Sequence, residues 1–181
     1  MHIQADMFAG VAELGGLDIQ LAWFRGFREF KTSKFVSDPD ALMKEMVGVS
    51  CEAGLTQIGR LLRHTLKETR KKRVNACVYI GDSFEEPIDP VADLAGQLGL
   101  EGVPLFLFHE GHDARAKKAF EQFAKLSGGA AVAFDPNARD QLRALLKAVA
   151  TYASGGAEQL DRLADRDGGP VTLLTQQMRS R

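Results

Sequence analysis

Cysteine is scarce: two residues, Cys51 and Cys77, in a chain of 181. Two thiols make no disulfide framework, and neither lies in a pair with the spacing of a zinc site. Long apolar runs are missing as well. No stretch approaches the ~20 residues that a membrane span needs, and no basic segment followed by an apolar one marks a secretory leader, so a cytoplasmic location without membrane attachment is expected. Charge of one sign is also lacking. Lys and Arg total 23 against 24 Asp and Glu, a net charge of −1, which argues against nucleic acid as an obligatory partner. The one basic run, 67–73, falls at the C-terminal end of a predicted helix, where cations suit the macrodipole. Two phosphate-binding motifs are absent: Gly-x-Gly-x-x-Gly after a strand, and Gly-x-x-x-x-Gly-Lys-Ser/Thr.

What is present is an alternation of strand and helix patterns. Ile3, Met7, Val11 and Leu14 recur at helical spacing, and Gly15-Gly16 stops that run. Residues 18–24 and 27–36 read as a hairpin turned at Arg25-Gly26. A helix over 40–47 follows Ser37-Asp38-Pro39, with a cap residue and a proline in its first turn. Helix 57–70 carries Ile58, Leu61, Leu62, Thr65 and Leu66 on one face. The apolar run 74–80 ends in Gly81-Asp82-Ser83, and Cys77 inside it behaves as a small core residue. A helix then runs to about Leu98, and strand 103–108 is wholly apolar, as an interior parallel strand should be. Helix 114–126, strand 130–134 and helix 138–153 complete the alternation. The pattern predicts a doubly wound α/β sheet, mostly parallel, with helices on both faces and an antiparallel edge hairpin. Strands 74–80 and 103–108 should be parallel neighbours, buried on both faces. The division is one domain over 1–153 and a tail over 154–181 packed on it. The tail reads as a weak helix over 157–164, a break at Gly168-Gly169-Pro170, and a strand over 171–175.

The strand ending in Asp82 is the most informative feature, because open α/β sheets bind ligands at the carboxyl edge of their strands. Asp82 at that edge is either a functional carboxylate or a turn residue. Thr56, on the loop before helix 57–70, is either a ligand or that helix's N-cap. His109-Glu110-Gly111-His112-Asp113 follows a strand toward the same edge. It is not His-Glu-x-x-His and lies on a loop, so it reads as a polar loop in which Asp113 caps the next helix. Glu85 and Glu86 point apart as neighbours and read as acids at the start of a helix.

Taken together, the order of elements over 3–153 resembles a von Willebrand factor A (VWA) domain. The hairpin over 18–36 is similar to that family's second and third strands. Gly54-Leu55-Thr56 is similar to its Gly-Gly-Thr-type loop, whose threonine helps bind a divalent metal. Ile80-Gly81-Asp82 stands where the family has a strand-ending Thr-Asp-Gly, whose aspartate reaches the metal through water. Residues 103–134 resemble the fifth strand, helix and sixth strand, with Ser127-Gly128-Gly129 before the last. The Asp-x-Ser-x-Ser motif of the family's first strand has no counterpart here, and the resemblance puts that strand before Met1. Metal donors would then be a remnant pair, Thr56 and Asp82. No cofactor is expected in this chain, and Mg²⁺ only if the missing first strand is present.

The resemblance implies a non-enzymatic protein-interaction module of the VWA type with an incomplete metal site. Its partner surface would comprise Gly54, Thr56, Ser83, Glu85, His109, Glu110 and His112. The alternative is a small α/β enzyme handling a phosphate or nucleotide through Asp82 and a divalent metal, although the second acid expected two residues on is replaced by Phe84. A strand of ~5–6 residues with three large side chains contributes on the order of 5–9 kcal/mol by burial, comparable with a whole domain's stability of roughly 5–15 kcal/mol. Something should therefore cover the strands left bare. The candidates are pairing of 19–24 with 74–80, insertion of 171–175, or a partner chain, including a homodimer through exposed edges.

Overall fold

A computed structural model describes residues 16–26, 29–47, 55–135 and 137–180. The expected helix over 3–14, together with Gly54 and Cys51, lies outside them.

The first described element is a hairpin. Strands β1 (Ala22–Arg25) and β2 (Glu29–Thr32) pair antiparallel, with Trp23 opposite Lys31 and Phe24 opposite Phe30. An outlying bridge joins Ile19 to Val36. Gly26 begins the turn at φ +55°, a conformation that favours glycine because it lacks a Cβ. The hairpin forms its own two-stranded sheet. Among the described residues it has no ladder to the parallel strands, so the first candidate cover, pairing of 19–24 with 74–80, does not form.

Helices α1 (Pro39–Val47) and α2 (Ile58–Lys71) follow. Asp38 begins α1 as expected, its carboxylate accepting the N–H groups of Asp40 and Ala41 at 3.2 and 3.3 Å. The second sheet is built by β3 (Cys77–Gly81), α3 (Ile88–Leu100), β4 (Leu105–Glu110), α4 (Ala114–Ser127) and β5 (Ala130–Phe134). Its order is β3-β4-β5, all parallel, with Tyr79 beside Leu107 and Phe108 beside Val132. This is the βαβ arithmetic of the sequence: each parallel neighbour is reached through a crossover helix. β4 is central and buried from Leu105 to His109. β3 is the parallel neighbour expected, but it is half-buried at Val78 and Ile80 because it lies at the edge.

The core has two layers. Tyr79, Leu105 and Leu107 face Ile58, Leu62, Ala95, Phe120 and Phe123 of α2, α3 and α4. Phe106, Phe108 and Val132 face the opposite side, against Leu142, Leu145, Leu160 and Leu174. The latter residues belong to α5 (Arg139–Asp167), broken at Gly156 with φ 72°, and to α6 (Gly169–Arg179).

Two glycines allow close approach. A Cβ on Gly129 would lie 1.9 Å from the Leu105 carbonyl oxygen, and one on Gly99 would lie 2.4 Å from that of Leu126. Beside Gly129, the Ser127 hydroxyl accepts the Leu105 N–H at 3.1 Å. The Ser127-Gly128-Gly129 run is thus a packing device: Gly128 ends α4 in the left-handed conformation and Gly129 lets β5 start hard against β4.

The tail corrects one expectation. Residues 171–175 are helical in α6, not a strand. Pro170 suits the first helical turn, and Val171 and Leu174 face the core one turn apart while Met178 packs against it a further turn on. The Thr175 hydroxyl donates to the Val171 carbonyl at 2.9 Å. Helical burial outweighs the β preference of Val and Thr, which is a weak context-dependent bias. Insertion of 171–175 into the sheet is therefore excluded.

Candidate functional site

The carboxyl ends of β3 and β4 bring together Thr56, Asp82, Ser83, Glu85, Glu86 and His109, all singled out from sequence. Their arrangement begins with a deficiency in α2. Its N-cap, Gln57, makes no side-chain cap bond, and its first turn holds no acid. The amides of Ile58 and Gly59 are buried, and an unmet buried donor costs roughly 1–3 kcal/mol. Glu86 meets both. Its carboxylate accepts the Ile58 N–H and, at 3.0 Å, the Gly59 N–H. Gly59 makes room for this, since a Cβ there would lie 3.1 Å from Glu86 Oε2. Glu86 therefore caps a helix 27 residues upstream, with its charge on the positive end of the macrodipole.

Glu85 holds the loop before α2. Its carboxylate accepts the Thr56 N–H at 3.0 Å, and its own N–H donates to Thr56 Oγ1 at 3.3 Å. Burial opposes the charge, but hydrogen bonds from the Thr56 N–H, the Ser83 hydroxyl and the Thr56 hydroxyl hold the Glu85 carboxyl below its ordinary range. Gln57 ties the same loop to the hairpin by donating to the Glu29 carbonyl at 3.1 Å.

The expected roles are revised accordingly. Thr56 is not the N-cap of α2; it lies one residue earlier, 8% exposed, with its hydroxyl directed to Glu85. Glu85 and Glu86 do not serve α3, which starts at Ile88; they serve the start of α2, where donors lack partners. Asp113 does cap α4, accepting the Ala116 N–H at 2.9 Å.

His109 is not a surface residue. It is 3% exposed, carried inward by the apolar run of β4 and set edge-on against Phe120 at 5.6 Å. Its Nε2 lies 3.3 Å from the Asp82 carbonyl oxygen. A carbonyl only accepts, so Nε2 carries a proton, and Nδ1 is buried without a partner among the described residues. Asp82, Glu85 and His112 are exposed, and Ser83 and Glu110 are half-buried. The Asp82 carboxylate makes no hydrogen bond among the described residues.

Among the described residues this donor set does not fit an octahedral cation. Thr56 Oγ1 already accepts from Glu85, and the exposed Asp82 carboxylate is engaged by no backbone amide among the described residues. Among the described residues no three His, Cys, Asp or Glu side chains converge as a metal site would require, and a hard cation takes about six oxygens. Glu86 is the misplaced residue with the largest structural role. The signal available for it was the absence of any capping side chain at the start of a strongly amphipathic helix.

Among the described residues no helix is long and apolar enough to cross a membrane. The chain is an α/β protein with a three-stranded parallel sheet flanked by helices and a separate antiparallel hairpin. No family model matches the sequence, and no curated protein matches it either.

Proposed function

We propose that this chain is a non-enzymatic protein-interaction module of the VWA type, with an incomplete metal site, and that its partner surface lies on the loops at the carboxyl edge. The observation that supports this reading is the use made of the edge's polar groups. Glu86 caps α2, and Glu85 and Thr56 bond to each other. What is left facing solvent is a rim of Asp82, Ser83, Glu110 and His112 beside the partly solvated Glu85. Such a rim recognises a surface; it does not assemble a nucleophile, a base and an electrophile within reach of one reacting atom.

The competing reading makes Asp82 the nucleophile or metal anchor of a phosphate-handling enzyme. Incubation with a phosphomonoester and Mg²⁺ separates the two. The module reading predicts no turnover above buffer. Turnover that disappears in Asp82→Asn overturns it in favour of the enzyme.

A further inference from the structure

The two edges of the parallel sheet are finished differently. On β5 the outward-facing backbone is covered by side chains. Ala131 donates its N–H to Gln177 Oε1 at 2.9 Å and accepts from Gln177 Nε2 at 2.7 Å, and Gln141 Nε2 reaches the Ala133 carbonyl at 3.3 Å. On β3 the Cys77 N–H donates to the Pro104 carbonyl at 3.0 Å. Alternation then turns Cys77, Tyr79 and Gly81 toward β4, and the N–H and C=O groups of Val78 and Ile80 away from it. Those groups have no hydrogen-bond partner among the described residues, and neither residue is fully buried.

The hairpin shows a matching bare edge. The Ser33 N–H donates to the Leu21 carbonyl at 2.9 Å. By the same alternation Ala22 and Phe24 direct their backbone groups away from β2, again without partners among the described residues. The hairpin also reaches both layers of the core. Ala22, Phe24 and Phe30 pack against the α2–α4 layer of the core, whereas Leu17 and Ile19 pack against the α5–α6 layer. The Phe24 ring is stacked on Tyr79 at 6.2 Å.

We infer that β1 and β3 bound a slot that receives one extended, apolar strand from a partner polypeptide, hydrogen-bonded along Val78 and Ile80. This rests on the reading of the chain as an interaction module and adds a strand-binding edge to the loop surface proposed above. Strand addition satisfies backbone groups that an open edge leaves bare. The side chains of such a strand alternate between two apolar core layers, so it must be apolar on both faces. Exposed Arg73 near the start of β3 and exposed Asp82 at its end favour a parallel strand with an acid before it and a lysine after it. A second copy of the described residues has no spare strand to donate, since every described strand is already in a ladder and α5 and α6 are helical. Residues 1–15 show their apolar positions at helical spacing.

The test is amide hydrogen exchange on the full chain with a synthetic peptide, acetyl-Glu-Glu-Val-Ala-Val-Ile-Lys-Lys-amide, and its backbone N-methylated form. Exchange at Val78 and Ile80 is expected to slow at least tenfold with the first peptide and to stay unchanged with the second. Ile80→Pro removes one donor facing the slot and should abolish the effect; if that variant does not fold, the N-methylated peptide remains the control. Three results overturn the inference: no slowing with the peptide, amides as protected as that of Leu107 before any peptide is added (the chain's own residues fill the slot), or protection that rises with protein concentration alone (a second copy fills it). None of these depends on turnover or on metal binding.

Discussion

Thr56 and Glu85 bond to each other in both directions, the Thr56 amide to the Glu85 carboxylate and the Glu85 amide to the Thr56 hydroxyl. Residues 29 apart in sequence are thereby locked across the carboxyl edge of the sheet. Thr56, Glu85 and Glu86 at that edge are committed to this pair and to the amides of α2.

The pair makes a statement about pH. The Glu85 carboxyl is held below its ordinary value when folded, so its stabilising contribution is fully present above the unfolded glutamate value of roughly 4.3. It is lost as pH falls through the folded value. The stability gap between the natural chain and Glu85→Gln should be constant near neutrality and close under acid. Denaturant melts at pH 7, 5 and 3 check this, and a gap that widens on acidification would contradict it.

Glu86→Ala should lower unfolding stability by about 1–2 kcal/mol, because it strips the cap from α2 and leaves buried amides without an acceptor. Gly59→Ala should act in the same direction by pushing Glu86 Oε2 away. In combination the two should cost less than the sum of the separate effects, since they remove one interaction. Equilibrium urea melts of the two single variants and the double variant provide the comparison.

Cys77 is buried against Thr65, and burial pushes its thiol up to about 11. In a Cys51→Ser background the native protein should show no thiol reactive toward an aromatic disulfide reagent at pH 8, and one thiol after denaturation. Rapid reaction of the native form would mean that the β3 edge opens far enough to expose its inner face.

Much of the fold was legible because hydrophobic period and burial agree. In α4 the spacing of Ala116, Ala119, Phe120 and Phe123 marks a single face, and all four are fully buried. The apolar run of β4 announced a central strand for the same reason. Legibility failed where local preference and packing diverge. Val171-Thr172-Leu173-Leu174-Thr175 has the composition of a strand, yet Val171 and Leu174 are buried at helical spacing. The break at Gly155-Gly156 was legible, since the helix kinks at Gly156 and a second helical stretch resumes to Asp167. At the site the sequence exposed Asp82 and the Asp113 cap. It hid Glu86, whose partners are 27 and 28 residues away, and the inward turn of His109, which looks polar in sequence because the strand that buries it ends one residue later.

Leu174 is fully buried against α5 and the sheet, so Leu174→Ala should cost about 2–5 kcal/mol. Gln177→Ala should cost less, about 1–2 kcal/mol for two hydrogen bonds, while exposing the β5 edge and promoting association. Thermal melts and light scattering of both variants separate a packing loss from an edge effect. Equal stability of Leu174→Ala and the natural chain would contradict the placement of α6.

The central claim is that the carboxyl edge is held by its own hydrogen bonds and presents a surface, not an ion site. Calorimetric titration of the chain with Mg²⁺ and Mn²⁺, beside Asp82→Ala, tests it most directly. The account predicts weak or undetectable heats that the substitution does not change. Tight, saturable binding that Asp82→Ala abolishes would contradict it.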